Sequence, residues 1–283
     1  MTSPKVLLAA HNIRPKKQFG QNFIVDPVFC ETIVRRAGIT SEDTILEIGA
    51  GLGALTIPLA RKAKKIFAVE RDPRIIGILN TQILVGGFTN VSVIEKDILV
   101  LDIDALSRDA GGKIVVMGNL PYNISSQILV QLIRSRKSVS RAILMFQKEL
   151  SQRITAKIGI KNYGRLSVML RYCSDIKKLI DVKATLFYPK PKVDSEILEV
   201  KFKTHIEDRA TDESFLFKLI KAGFGNRRKT LKNALIASEL GIDADTALRM
   251  LEKSGINPVR RAETLSVEEF VKLSNNLLEA ILA

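Results

Sequence analysis

Thr44-Ile45-Leu46-Glu47-Ile48-Gly49-Ala50-Gly51-Leu52-Gly53 is the stretch that decides how the chain is read. A mostly apolar strand pattern runs straight into three glycines at alternate positions. Such a turn lets a strand reverse sharply into a helix and leaves its backbone open to close approach by a ligand. Working outward, residues 54–62 read as that helix and 65–69 as a second strand; Pro73 suits the first turn of a helix that continues to 84. Residues 91–94, 113–117 and 141–146 read as further strands, with helices at 124–134 and 148–158. The alternation predicts a parallel sheet covered on both faces. A late strand at 195–202, carrying Ile197, Val200 and Phe202, is expected to form a hairpin with 176–182 and so put one antiparallel strand into a mostly parallel sheet. Beyond residue 205 the pattern is helical throughout, at 215–224, 228–239, 243–254 and 266–282, with Ser266 and Glu269 spaced as a capping box. The expected organisation is an α/β domain over residues 1–205 followed by a small all-helical domain over 206–283.

Bulk composition narrows the function classes. With 283 residues, 46% hydrophobic and 26% charged, the chain can bury a full core without staples. No apolar run approaches the roughly 20 residues of a membrane span. The opening stretch is basic and free of acids until Asp26, but has few Ser and Arg residues for a mitochondrial presequence. Leu7-Leu8-Ala9-Ala10 is too short an apolar region for a secretory signal. Cys30 and Cys173 stand far apart, which excludes a disulfide framework and a cysteine zinc site and suits a reducing cytoplasm. His11 and His205 have no ligand-like neighbours at metal spacing and read as surface residues, so no metal is expected. Net charge is +14, and residues 1–205 hold 32 Lys+Arg against 18 Asp+Glu while 206–283 hold 12 of each. That excess points to a polyanionic partner facing the first domain; solubility alone is the plainer alternative.

Taken alone, the glycine turn is ambiguous. Gly49, Gly51 and Ala54 satisfy a loose dinucleotide fingerprint, and Glu70 stands at the end of the second strand, where an acid accepts from ribose hydroxyls in either cofactor class. Glu47 separates the two. A carboxylate beside the turn repels a pyrophosphate but suits a cationic sulfonium with an amino-acid tail. Asp97, just past the third strand, suits acceptance from the adenine amine of the same molecule. Each acid alone could be an ordinary strand-end cap; the ordered set Glu47, Gly49, Gly51, Glu70 and Asp97 favours S-adenosylmethionine. The expected fold is therefore a Rossmann-like class I methyltransferase sheet.

The strand at 113–117 runs into Gly118-Asn119-Leu120-Pro121-Tyr122. An aromatic amine is a poor nucleophile because its lone pair is delocalised into the ring. Two acceptors aimed at its hydrogens draw the nitrogen toward tetrahedral geometry and turn the lone pair toward a methyl donor. Asn119 offers a side-chain carbonyl and Leu120 a backbone carbonyl, in a turn held by Pro121. Tyr122 offers a flat face for a flipped base. The alternative is a plain strand-ending turn with a Pro-Tyr corner.

With these residues in view, the chain resembles the ribosomal RNA adenine dimethyltransferases, specifically the small-subunit branch whose loss gives kasugamycin resistance. The resemblance runs through Arg14-Pro15-Lys16-Lys17-Gln18-Phe19-Gly20-Gln21-Asn22-Phe23, the glycine turn, Asn119-Leu120-Pro121-Tyr122, Phe146-Gln147-Lys148-Glu149, Tyr163-Gly164-Arg165-Leu166-Ser167-Val168 and Phe187-Tyr188-Pro189-Lys190-Pro191-Lys192-Val193-Asp194-Ser195. It implies that Asn22 and Ile24 join Gly49, Glu70, Asp97 and Asn119 in contacting the cofactor. It implies too that Phe187 packs on the target adenine opposite Tyr122; without the resemblance Phe187 reads as a core residue. The implied product is a pair of adjacent N6,N6-dimethyladenosines in a hairpin near the 3′ end of small-subunit rRNA, with S-adenosylhomocysteine released. The implied partner is the small ribosomal subunit or its precursor, met by a monomeric, cytoplasmic enzyme. Arg227, Arg228, Lys229 and Lys232 form a cationic cluster suited to RNA phosphates, a solvated helix face being the alternative. Ala50 stands where many relatives carry proline, and Ile24 where leucine is common.

Three other readings compete. A large-subunit dimethyltransferase of the antibiotic-resistance type shares the chemistry, but the Phe-x-Pro-x-Pro-x-Val-Asp-Ser run and the Arg-Arg-Lys-Thr cluster favour the small-subunit form. A non-catalytic assembly factor on the same fold is opposed by intact Asn119 and Tyr122, and a nicotinamide-dependent reductase by Glu47.

Overall fold

The computed structural model describes residues 3–282. Its strands are β1 (Phe23–Ile24), β2 (Thr44–Ile48), β3 (Lys65–Glu70), β4 (Val91–Glu95), β5 (Ile114–Asn119), β6 (Val139–Gln147), β7 (Ser174–Val182), β8 (Phe187–Tyr188) and β9 (Ser195–Phe202). The helices of the first half are α1 (Pro4–Ala10), α2 (Pro27–Arg36), α3 (Thr56–Ala60), α4 (Pro73–Val85), α5 (Ile103–Asp109) and α6 (Ser125–Arg134). Those of the second half are α7 (Lys148–Thr155), α8 (Arg165–Cys173), α9 (Glu213–Gly223), α10 (Leu231–Ile236), α11 (Ala244–Lys253) and α12 (Val267–Leu282).

Seven strands form one sheet in the order β4-β3-β2-β5-β6-β9-β7. β4, β3, β2, β5 and β6 pair in parallel, and β9 runs antiparallel to β6. All five residues of β2 are buried, as a central strand covered on both faces requires. From β2 the chain winds outward to β3 and β4, then returns to the other side as β5 and β6. The switch point lies between β2 and β5, and the crevice beyond their carboxyl ends is where such sheets receive ligands. Here the backbones come unusually close: Ile48 and Gly118 are register partners, and a Cβ built on Gly118 would lie 2.5 Å from the Ile48 carbonyl oxygen. A separate two-stranded ribbon pairs Phe23 with Tyr188 and Ile24 with Phe187.

Local chemistry accounts for the element ends. Asp72 caps α4 ahead of Pro73, and Asp212 and Asp243 cap α9 and α11. The capping box at α12 is formed in both directions, Ser266 N donating to Glu269 at 2.8 Å and Glu269 N to Ser266 Oγ at 3.2 Å. The helix expected over 148–158 ends at Thr155, and two others start two or more residues later than their patterns. The one after the glycine turn begins at Thr56 rather than 54, because the turn continues through Leu55. The one expected over 228–239 is Leu231–Ile236, because Thr230 caps it.

The chain divides into two compact units: one runs up to Ser151 and includes Ile176–Phe202, and the other joins Gln152–Asp175 to the residues from Lys203 onward. The expected single cut after residue 205 falls close to the last of these crossings; the crossings at Ser151 and Asp175 are additional. Within the second unit, the inserted segment is tied in by buried aromatics. The Tyr163 hydroxyl donates to the Leu265 carbonyl at 3.0 Å and its ring meets Phe224 edge-on, while the Tyr172 hydroxyl donates to Glu213 at 3.0 Å and accepts from Ala210 N at 3.2 Å. This division also redistributes charge. The helical unit, neutral when counted from residue 206, holds 18 Lys+Arg against 13 Asp+Glu once Gln152–Asp175 and residues 203–205 are included.

Candidate active site

An open cleft of about 780 Å³ lies at the switch point. Asn22, Gly49, Gly51, Glu70, Asp97 and Asn119 all line it. Ile24 and Glu47 line a smaller adjoining recess that shares Asn22, Gly49, Gly51 and Asn119. The structure thus brings together every residue expected to contact the cofactor, from four strand ends and the segment before α2.

Each acid is held by the backbone geometry around it. Gly49 and Gly51 adopt φ of 71° and 56°, which turns the Gly51 amide onto the Glu70 carboxylate at 2.9 Å. The other Glu70 oxygen accepts from the amides of Arg71 and Asp72 at 2.8 and 2.9 Å. Asp97 accepts from Leu99 N at 3.0 Å and pairs with Arg71 at 2.9 Å. It is therefore a cap as well as a cleft residue, and the two readings of it are compatible. Glu47 differs from both. It is 1% exposed, and its Oε2 has no hydrogen-bond partner. Burial pushes its pKa up to about 8, with the Glu70 charge adding to the rise and Thr56 opposing it. An orphaned acid facing a glycine cradle is what a ligand with a cationic amino-acid tail would satisfy, so the residues present fit S-adenosylmethionine.

One wall of the cleft is the segment from Gln18 to Phe23. Gln21 pins it: its Nε2 donates to Asp72 at 3.1 Å and its Oε1 accepts from Lys16 N at 2.7 Å. Asp72, 1% exposed, is also gripped by Arg74 through two hydrogen bonds of 2.9 and 2.6 Å, and these hold its pKa down at about 2. On the other side Gly20, at φ 61°, presses against Pro121, and the Asn119 amide donates to the Asn22 carbonyl at 2.8 Å. With the amide nitrogen so engaged, Oδ1 is the acceptor that the Asn119 side chain has to offer.

The Asn119–Tyr122 turn is otherwise arranged as follows. Leu120 is buried, Pro121 lines the cleft, and the Tyr122 hydroxyl lies 3.3 Å from Ser195 Oγ. Burial raises the Tyr122 pKa and the Ser195 contact opposes the rise. Phe187, expected opposite Tyr122, lies in β8. It is 4% exposed, sits in the main core cluster and pairs with Ile24. Of the cationic cluster, Arg228 and Lys229 are exposed and Lys232 half-buried. Arg227 is engaged internally, donating to the carbonyls of Lys161 and Tyr163 and pairing with Glu263 at 3.1 Å.

Gln21, Arg71, Arg74 and Ser195 were not singled out from sequence. Asp72-Pro73 is a legible helix start, and Gln21 and Ser195 stand within the family runs; nothing in the sequence marks Arg71 as the partner of Asp97. Among the described residues no group of three His, Cys, Asp or Glu side chains is placed to hold a metal ion, and no helix is long and apolar enough to cross a membrane.

A mostly parallel sheet with a glycine turn and a row of acids at its switch point defines a Rossmann-like methyltransferase. The chain belongs to the ribosomal RNA adenine dimethylase family, whose model matches residues 12–279. It is 50% identical over 277 residues to the ribosomal RNA small subunit methyltransferase A of Desulforapulum autotrophicum, covering 98% of this chain and 97% of the relative. The protein of the same name from Bacillus mycoides is 41% identical over 268 residues, covering 93% and 91%. Among solved structures, a dimethyladenosine transferase from Plasmodium falciparum superposes with TM-score 0.75 at 29% identity, covering 89% of this chain and 95% of that one. The 23S rRNA methyltransferase ErmE, at 22% identity and TM-score 0.67, shares the fold.

Proposed function

We propose that this protein transfers methyl groups from S-adenosylmethionine to N6 of two adjacent adenosines in the hairpin near the 3′ end of small-subunit rRNA, giving N6,N6-dimethyladenosines during subunit maturation. The observation that carries this is the fixed amide of Asn119, a residue that lines the cleft: its Nδ2 is held by the Asn22 carbonyl, which leaves Oδ1 as the acceptor of that amide. When bound, S-adenosylmethionine supplies an electrophilic methyl group. Asn22, Ile24, Glu47, Gly49, Gly51, Glu70 and Asp97 would hold its carrier, Glu70 at the ribose and Asp97 at the adenine.

In this reading Asn119 Oδ1 and the Leu120 carbonyl accept hydrogen bonds from the two N–H groups of the target amine and turn its lone pair toward the methyl group; the N–C bond forms as the S–C bond breaks, and the methylated nitrogen loses one proton to solvent. Tyr122 supplies the stacking face, with its ring anchored through Ser195. Phe187 packs on the target adenine opposite Tyr122. An amine carrying one methyl keeps one hydrogen for one acceptor, so a second transfer meets the same site. Arg228, Lys229 and Lys232 meet rRNA phosphates from the helical unit. The buried thiols of Cys30 and Cys173 suit a cytoplasmic enzyme.

The test is methyl transfer to small subunits from a strain lacking this protein, with modified positions mapped by primer extension and large-subunit RNA as a second arm. Transfer confined to two adjacent adenosines of the small subunit is expected; transfer to large-subunit RNA alone, or to neither, overturns the reading. Asn119→Ala should lower turnover by about a hundredfold or more, the scale of removing one preorganised polar group from a transition state, with RNA affinity unchanged.

A further inference from the structure

We infer that Glu47 gives up a proton each time the cleft takes a ligand with a cationic amino-acid tail, so that cofactor binding is coupled to proton release. The inference rests on the cofactor reading above and adds a thermodynamic property to it.

Glu47 is the fourth residue of β2, a strand otherwise apolar after Thr44 and buried along its whole length. It contributes to the recess beside the glycine turn, with Oε2 buried and unpartnered. An ionised carboxylate there would forfeit hydration with no donor on Oε2 to replace it, whereas a protonated one costs far less. Its surroundings supply no counter-charge. Glu70 on β3 is the charged group acting on it and is of like sign. Cys30 on α2, the nearby thiol, is itself pushed up to about 12 by burial and stays neutral throughout the neutral range. Thr56 on α3 offers hydrogen bonding, and the register partners Ala68 on β3 and Met117 on β5 offer nothing titratable. The raised pKa of Glu47, about 8, agrees with this placement.

An ammonium group arriving in the recess reverses the balance. It brings three donors and a positive charge to an acid whose Oε2 has no donor and which has no counter-charge, and thereby favours the carboxylate. The O–H bond of the Glu47 carboxyl breaks, the electron pair stays on oxygen, and the proton leaves to solvent; the ligand's ammonium, already protonated at neutral pH, is unchanged. Because the bound state prefers ionised Glu47, affinity must rise with pH up to the value at which the free protein ionises by itself.

Calorimetric titration of the full chain with S-adenosylhomocysteine at pH 7, in two buffers of different ionisation enthalpy, counts the protons. Roughly nine-tenths of a proton released per ligand is expected from a group with a pKa near 8. Affinity should rise about tenfold from pH 6 to 7 and level off above pH 8. Two controls assign the proton. 5′-Methylthioadenosine, which lacks the amino-acid tail, should bind without release. Glu47→Gln should bind S-adenosylhomocysteine with neither proton release nor pH dependence over this range. Binding of S-adenosylhomocysteine without proton release, or equal release with 5′-methylthioadenosine, overturns the inference and leaves the cofactor reading intact. No binding of S-adenosylhomocysteine at all would instead overturn that reading, and the inference with it. Should the Gln variant fail to fold, the comparison of the two ligands on the wild-type protein decides.

Discussion

Two acids near the cleft, Glu47 and Asp72, are each 1% exposed and yet titrate in opposite directions. Glu47 has no donor for Oε2, so its folded pKa lies above its unfolded one. Its contribution is fully present below about pH 4.5 and is lost as pH rises through about 8. Glu47→Gln should therefore raise the melting temperature by about 3 °C or more at pH 8.5 and leave it unchanged near pH 4, as thermal melts in matched buffers will read. Asp72 has Arg74 and Gln21, so its folded pKa is depressed. Its stabilisation is present above about pH 3.8 and is lost as pH falls through about 2. Asp72→Asn should cost about 2 kcal/mol at pH 6 by denaturant titration, a deficit that disappears in strong acid. The position of Glu47 was legible from the glycine turn alone. Its orphaned oxygen was not, because a missing partner is a property of three-dimensional surroundings. Phe187 is a second case: its burial comes with a two-residue strand pairing too short to leave a sequence signal.

At the scale of elements, the segment ahead of α2 matters most to the site and was least readable. The strands β2 and β9 were legible to the residue, since continuous or alternating apolar runs state their own period. The arm from Lys16 to Phe23 has no period, and its course is set by residues far along the chain: Gly20 rests on Pro121, Asn22 on Asn119, Gln21 on Asp72. Gln21→Ala removes the last of these without touching the Asn119–Tyr122 turn. The expected result is about a fivefold fall in S-adenosylhomocysteine affinity, the worth of one net hydrogen bond, with faster tryptic cleavage within the arm. Unchanged affinity and cleavage would mean that Gln21 does not hold the arm. The helix α8 escaped notice for a different reason. Six of its nine residues are buried, so it lacks the polar face by which a surface helix announces itself.

For the molecule as a whole, the sequence pattern suggests one cut after residue 205, whereas the chain crosses between its two units at Ser151, Asp175 and Phe202, and contiguity misled the accounting of charge. Counted from residue 206 the helical part is neutral; with Gln152–Asp175 returned to it, it carries a positive excess of its own. Both units therefore bring positive charge to a polyanion, and the four cations legible in the sequence separate by what they touch. Arg227 is committed to Lys161, Tyr163 and Glu263, inside the helical unit. Arg227→Ala should lower the melting temperature and leave the salt dependence of RNA binding nearly unchanged. Replacing Arg228 and Lys229 together should do the reverse, reducing the slope of log affinity against log salt by about 0.7 for each phosphate no longer neutralised. Filter binding across a salt series distinguishes the two outcomes.

The close approach of Ile48 and Gly118 bears on the reach of the reaction. On the proposed reading, the carrier of the methyl group is held at the end of β2 and the acceptors of the target amine stand at the end of β5. The gap the methyl must cross is then set by how near those two strand ends lie, and that nearness depends on position 118 having no side chain, since a single added carbon would sit 2.5 Å from the Ile48 oxygen. The stride of the transfer is thus written into the floor of the sheet, one carbon atom's absence beneath the groups that perform it.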